Sequence, residues 1–160
     1  METYPASVAP QENLILRQVV AGFVAGFVAV LLFHQGMATI LNAAHFGTIK
    51  EFPTGLTHPF GVPKIWSLAF WGGIWGIVFA LIFFRFREGA GYWVGALVFG
   101  AIAPSLVAWL VVAPLHGQPA GHGWHAVGVI TGLLVNGAWG IGTALLLRGI
   151  PGNRMPKTAT

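Results

Sequence analysis

The chain contains no cysteine and no aspartate. The first absence removes disulfides, thiolate metal ligands, iron–sulfur clusters, covalently attached haem and thiol catalysis together. The second leaves Glu2, Glu12, Glu51 and Glu88 as the only acids, too scattered for a carboxylate cluster. The three serines, Ser7, Ser67 and Ser105, have no acid nearby, so nucleophile–base–orienter sets cannot be assembled in the usual ways. No phosphate loop or dinucleotide fingerprint occurs between a strand and a helix. These absences point away from an enzyme. Charge is scarce as well: 8% of residues are charged, where soluble domains carry roughly 25%, so a water-facing surface cannot be covered. A disordered tail is excluded by the opposite argument, since it needs low hydrophobicity and high charge.

What is there is apolar: 56% of the 160 residues, with 23 glycines besides. Four stretches free of Asp, Glu, Lys and Arg, namely Val19–Leu41, Ile65–Phe84, Tyr92–Ala113 and Ala126–Leu147, match the roughly 20 residues that cross a hydrocarbon core. Each is continuously apolar and lacks the alternation of a barrel strand, so each reads as a helix. The first exceeds the length of a signal-peptide core and is followed by no cleavage site. The reading is a single membrane domain over residues 1–160: an all-α, integral membrane four-helix bundle. Its environment is the lipid bilayer.

Orientation follows from Lys and Arg beside the spans. The termini and the second loop carry Arg17, Arg85, Arg87, Arg148, Arg154 and Lys157, against Lys50 and Lys64 on the other side. Both termini are therefore expected in the cytoplasm. The net charge of +4 and the pI of 10.2 are a topology signal rather than a sign of nucleic-acid binding. Interfacial aromatics agree, with Trp66 and Trp124 at the outer face and Phe86, Tyr92 and Trp93 at the inner one. The short Arg85–Gly91 link makes the second and third helices expected antiparallel neighbours.

Gly73-Ile74-Trp75-Gly76-Ile77 in the second span returns as Gly137-Ala138-Trp139-Gly140-Ile141 in the fourth. This suggests two parallel helical-hairpin repeats, although the first and third spans share no comparable match. The alternative is a recurrent solution to close packing, since small residues four apart let membrane helices approach. Gly22/Gly26, Gly72/Gly76, Gly91/Gly95 and Gly132/Asn136/Gly140 have that spacing. Pro104 should kink the third helix.

Polar groups within the spans are the functional pointers, because each is costly unless paired. They are His34, Gln35, Thr39, Ser105, Thr131, Asn136 and Thr143, with Asn42 just beyond the first span. His34 lies about 10 Å below the outer end of its helix, at ~1.5 Å per residue. It is placed to meet Asn136 or a neighbouring Gln35, either as a hydrogen-bonded link between helices or as the wall of a ligand site. His34, Gln35 and Asn136 are the candidate binding residues. His116, His122 and His125, in the second outer loop, are candidate ligands for zinc or copper. A haem b held between His34 and His116 or His125 is a further alternative, against the simpler reading of no cofactor. The first outer loop, His45–Lys64, mixes Pro53, Pro59 and Pro63 with apolar residues. That pattern suits a cover over the bundle mouth rather than a solvated linker.

Phe33-His34-Gln35-Gly36, Gly61-Val62-Pro63, Ser67 through Gly73, Pro114-Leu115-His116-Gly117 and Asn136 through Gly140 together resemble a group of small, uncharacterised proteobacterial inner-membrane proteins with four spans. The resemblance covers residues 17–148. It implies the topology and a bacterial inner membrane, and no activity. Two functions stand after this reading. One is a non-catalytic bundle working through helix–helix contacts, as a homo-oligomer or as an accessory subunit with protein partners in the membrane. The other is a binder or transporter of a small ligand, haem or metal through His34 and the outer-face histidines.

Overall fold

The four apolar stretches become four long helices in a computed structural model, which describes residues 9–47, 49–83 and 89–150. Helix α1 runs from Ala9 to Ala29, passes through a π-helical turn at Val30–His34 and resumes as Gln35–Ala43. Helix α2 is Lys64–Phe83. Helix α3 is Gly89–Val107, with a second π turn at Ala108–Val112 and a last turn to Leu115, and α4 is Ala126–Gly149. All four are long and apolar enough to cross a membrane. No strand occurs among the described residues, only an isolated bridge between Leu56 and Pro63. The protein is an all-α four-helix bundle. Phe84, Arg85, Phe86, Arg87, Arg154 and Lys157, which entered the topology reading, lie outside the described residues.

Helices α1, α3 and α4 are longer than their apolar stretches because helix formation does not stop where hydrocarbon does. Polar residues such as Gln18 and Asn42 stay helical beyond it. Pro104 lies inside helical backbone, and the departure from α geometry comes one turn later, at Ala108–Val112.

The helices pack in two tight hairpins. A Cβ built on Gly26 would fall on the Gly72 carbonyl oxygen and lie 2.8 Å from the Gly76 Cα. A Cβ on Gly100 would lie 2.6 Å from the Gly140 Cα and 2.7 Å from the Asn136 carbonyl oxygen. Backbone therefore touches backbone in both α1–α2 and α3–α4. The correspondence extends to side chains, for Gly73 faces the Phe23 ring as Gly137 faces Leu97. Gly22, Phe23 and Gly26 of α1 thus play the parts of Ala96, Leu97 and Gly100 of α3. Gly72, Gly73 and Gly76 match Asn136, Gly137 and Gly140 in the same way. The match between the first and third helices, absent from the letters, is present in the packing.

The two hairpins meet along different seams. On one side α1 packs against α4, and Trp139 Nε1 donates to the Gly26 carbonyl at 2.9 Å. On the other, α2 and α3 are neighbours held apart by rings: Phe79 with Tyr92 at 6.1 Å, Phe79 with Phe99 at 5.6 Å and Trp75 with Phe99 at 6.0 Å between centroids. Tyr92, buried, donates to the Ala144 carbonyl at 2.9 Å, and Arg148 lies 5.8 Å from the Trp93 ring centre at the same end.

One buried hydroxyl goes unused. Thr131 Oγ1 has no hydrogen-bond partner among the described residues, and a buried group left so costs about 1–3 kcal/mol. Thr131→Val keeps the shape and removes that cost. The expected outcome is a higher melting temperature in detergent, with a stabilisation of about 1 kcal/mol; a lower one would show that the hydroxyl is satisfied.

Candidate functional site

A π turn carries one extra residue, and it changes which side of the helix everything beyond it faces. In α1 this happens at Val30–His34, so His34 closes the turn and Gln35 opens the resumed α-helix. From Gln35 onward, Thr39 and Asn42 follow at spacings of four and three, a polar stripe along one face.

The stripe grips the loop that leads to α2. Phe52 N–H donates to Gln35 Oε1 at 2.7 Å. Asn42 Nδ2 donates to Glu51 Oε1 at 2.6 Å and to the Ile49 carbonyl at 2.7 Å. Thr39 Oγ1 lies 3.2 Å from Glu51 Oε2 and 3.1 Å from the Gln35 carbonyl, its single proton serving either. The loop's far side caps α2, because Lys64 N–H donates to the Gly55 carbonyl and Ile65 N–H to the Pro53 carbonyl, both at 2.9 Å. Within it, Thr57 pairs with Val62 at 2.9 Å. The segment is a folded cover over the end of the first hairpin, as its prolines and apolar residues suggest.

Beneath and beside this cover lies an open cleft of about 420 Å³. Its walls are His34 and Gln35 from α1, Ile49, Lys50, Pro53, Gly55 and Leu56 from the loop, and Lys64 and Leu68 from α2. His34 is half-buried, and its one hydrogen-bond contact among the described residues is with its neighbour, Gln35 Nε2 to Nδ1 at 3.4 Å. Two cations and an imidazole therefore share a wall with four apolar side chains. Glu51 is not among the lining residues, being held by Thr39 and Asn42.

The sequence-derived candidates separate on this geometry. His34 and Gln35 come together at the cleft. Asn136 does not join them: its Nδ2 donates to Ser105 Oγ of α3 at 2.9 Å, so it links helices of the second hairpin. His116 Nδ1 is 2.9 Å from the Val112 carbonyl on its own helix, and His116, His122 and His125 are all exposed. Among the described residues, no three histidine or acidic side chains come together as a metal-holding group. His34 is the one histidine of the cleft wall, so no second imidazole faces it there. The short second outer loop instead sets its ring by backbone shape. Gly121 has φ 59°, and a Cβ there would strike Trp124, which stacks edge-on against Trp109 at 5.8 Å.

Lys50 and Lys64 in the cleft wall, and Glu51 in the bonds that hold its cover, are residues that the sequence reading used only as charges. A signal for Glu51 did exist: it is the one acid between Glu12 and Glu88, in a loop that follows the polar residues Thr39 and Asn42. Compared with known proteins, the chain matches no family model, no curated protein and no solved structure.

Proposed function

We propose that this chain is a non-catalytic polytopic membrane protein that binds a small molecule in the loop-covered cleft of its first hairpin. The observation that carries this reading is the placement of His34. An ionisable side chain inside a span is expected to pair with another helix or to serve a ligand or pathway. His34 makes no bond to another helix among the described residues, and it lines a cleft. The interhelical link that the sequence allowed for it is made by Asn136 and Ser105 instead.

The test compares those two polar residues. His34→Leu is expected to leave the melting temperature nearly unchanged and to strip the small molecule that accompanies the protein out of its own membrane, as read by native mass spectrometry. Asn136→Leu is expected to do the reverse, lowering the melting temperature by an amount equivalent to about 0.6–2 kcal/mol while the ligand stays. Retention of the same bound mass in His34→Leu overturns the reading.

A second reading, a subunit working through helix contacts with itself or with another membrane protein, is favoured by Gly36 and Gly128. A Cβ at either would meet nothing within 4 Å, leaving backbone open to a neighbour. The same mass spectra separate the two: this reading requires a stable oligomer or a co-purifying protein.

A further inference from the structure

We infer that the cleft takes a phosphate-bearing anion, and that the occupant is the headgroup of an anionic phospholipid; the inference rests on the cleft being a ligand site. Charge gives the first argument. Lys50 and Lys64 both line the cleft, and neither has a carboxylate partner among the described residues. The nearest acid in sequence, Glu51, has its carboxylate held by Thr39 and Asn42 and does not line the cleft. The cleft wall also carries the His34 imidazole, whose Nδ1 faces the Gln35 amide, so that its Nε2 is the ring nitrogen left to donate to a phosphate oxygen. Lys64 is also the first residue of α2, where the helix dipole adds positive potential.

Position gives the second argument. The cleft lies at the first turn of α2, two residues from Trp66, an exposed ring of the kind that gathers at membrane interfaces. The outer surface of the cover is apolar: Phe60 is 85% exposed and Leu56 68%. Such a surface is stable against headgroups and the first acyl carbons, not against water. Leu56 belongs both to this surface and to the cleft wall, so an apolar side chain leads along the cover into the cleft. A ligand arriving along it carries its own hydrocarbon, whereas a free anion has no use for that path.

The experiment uses the full chain in nanodiscs of phosphatidylcholine with a rising fraction of phosphatidylglycerol, read by native mass spectrometry after release. The wild type is expected to retain one phosphatidylglycerol, with preference over phosphatidylcholine. Lys50→Ala/Lys64→Ala is expected to lower that retention by about tenfold or more, and Lys50→Arg/Lys64→Arg to restore it. Arg148→Ala, at the other end of the bundle, is expected to change nothing. Inorganic phosphate added in excess forms the second arm: displacement of the lipid by phosphate alone identifies a free-anion site and overturns the lipid assignment. Unchanged lipid retention in the double alanine variant, with His34→Leu still stripping a bound molecule, overturns the anion inference while leaving the ligand cleft intact. Unchanged occupancy in both variants overturns the cleft itself.

Discussion

Gly26→Leu and Gly140→Leu are each expected to abolish the monodisperse folded bundle. At both positions the atoms that a side chain would displace belong to the facing backbone: the Gly72 carbonyl and Gly76 Cα in one case, the Ala96 carbonyl and Gly100 Cα in the other. Overpacking a core usually costs about 1–3 kcal/mol because neighbouring side chains turn aside. Backbone in the middle of a helix cannot turn aside, so the helices must separate, and the loss is expected to exceed about 3 kcal/mol. Gly91→Leu is the control, since a Cβ there meets nothing within 4 Å; it is expected to stay within about 0.5 kcal/mol of the wild type. Size-exclusion profiles and thermal melts in one detergent decide the matter. Wild-type behaviour of Gly26→Leu would mean that the crossing of α1 and α2 is not as close as described.

Asn42→Leu is expected to release the cover. Asn42 supplies two of the bonds that hold the loop, one to Glu51 and one to the Ile49 carbonyl. Its loss leaves the Glu51 carboxylate with Thr39 alone, whose proton is already divided. Charge-assisted hydrogen bonds are worth about 1.5–3 kcal/mol each, so the loop and not the bundle should give way. The measurement is hydrogen exchange by mass spectrometry. The segment around Phe52 should exchange at least about tenfold faster, while peptides from α3 and α4 keep the wild-type rate. Equal slowing or equal speeding of all four helices would show that the stripe stabilises the bundle as a whole. A loop that stays protected would show that the Gln35–Phe52 and Pro53–Ile65 bonds suffice without it.

The helices were legible in the sequence because hydrophobicity is a sum over some 20 residues, and no single substitution obscures it. Their ends were less so: the first helix runs to Ala43, two residues past the end of the apolar stretch at Leu41, since backbone hydrogen bonds do not require lipid. The glycines of α2 and α4 announced close packing through their shared letters. In α1 the spacing of Gly22 and Gly26 announced it too, but the correspondence of α1 with α3 was hidden, because Gly22 corresponds to Ala96 and Phe23 to Leu97, exchanges that do not preserve identity. Of the site, His34 and Gln35 were visible as polar residues within an apolar run. The π turn that sets their direction leaves no mark in composition or spacing. Asn136 was misplaced for a related reason: depth below the membrane surface is readable from residue counts, whereas azimuth around the bundle is not. The histidines near His122 are close to one another in the chain, yet the backbone there turns left-handed at Gly121, His122 and Trp124, and among the described residues they form no metal-holding group, which no spacing rule anticipates.

The two seams between hairpins differ in kind. Where α1 meets α4, an indole is anchored to a main-chain carbonyl, and sliding one helix along the other would break that bond. Where α2 faces α3, rings rest on rings at 5.6 to 6.1 Å, and aromatic contacts tolerate several mutual angles with little change in energy. The molecule is thus fastened along one edge and bearing-like along the other. The cleft is walled by α1, α2 and the loop between them alone, so slippage of one half against the other along the ring-lined seam would leave its walls in place.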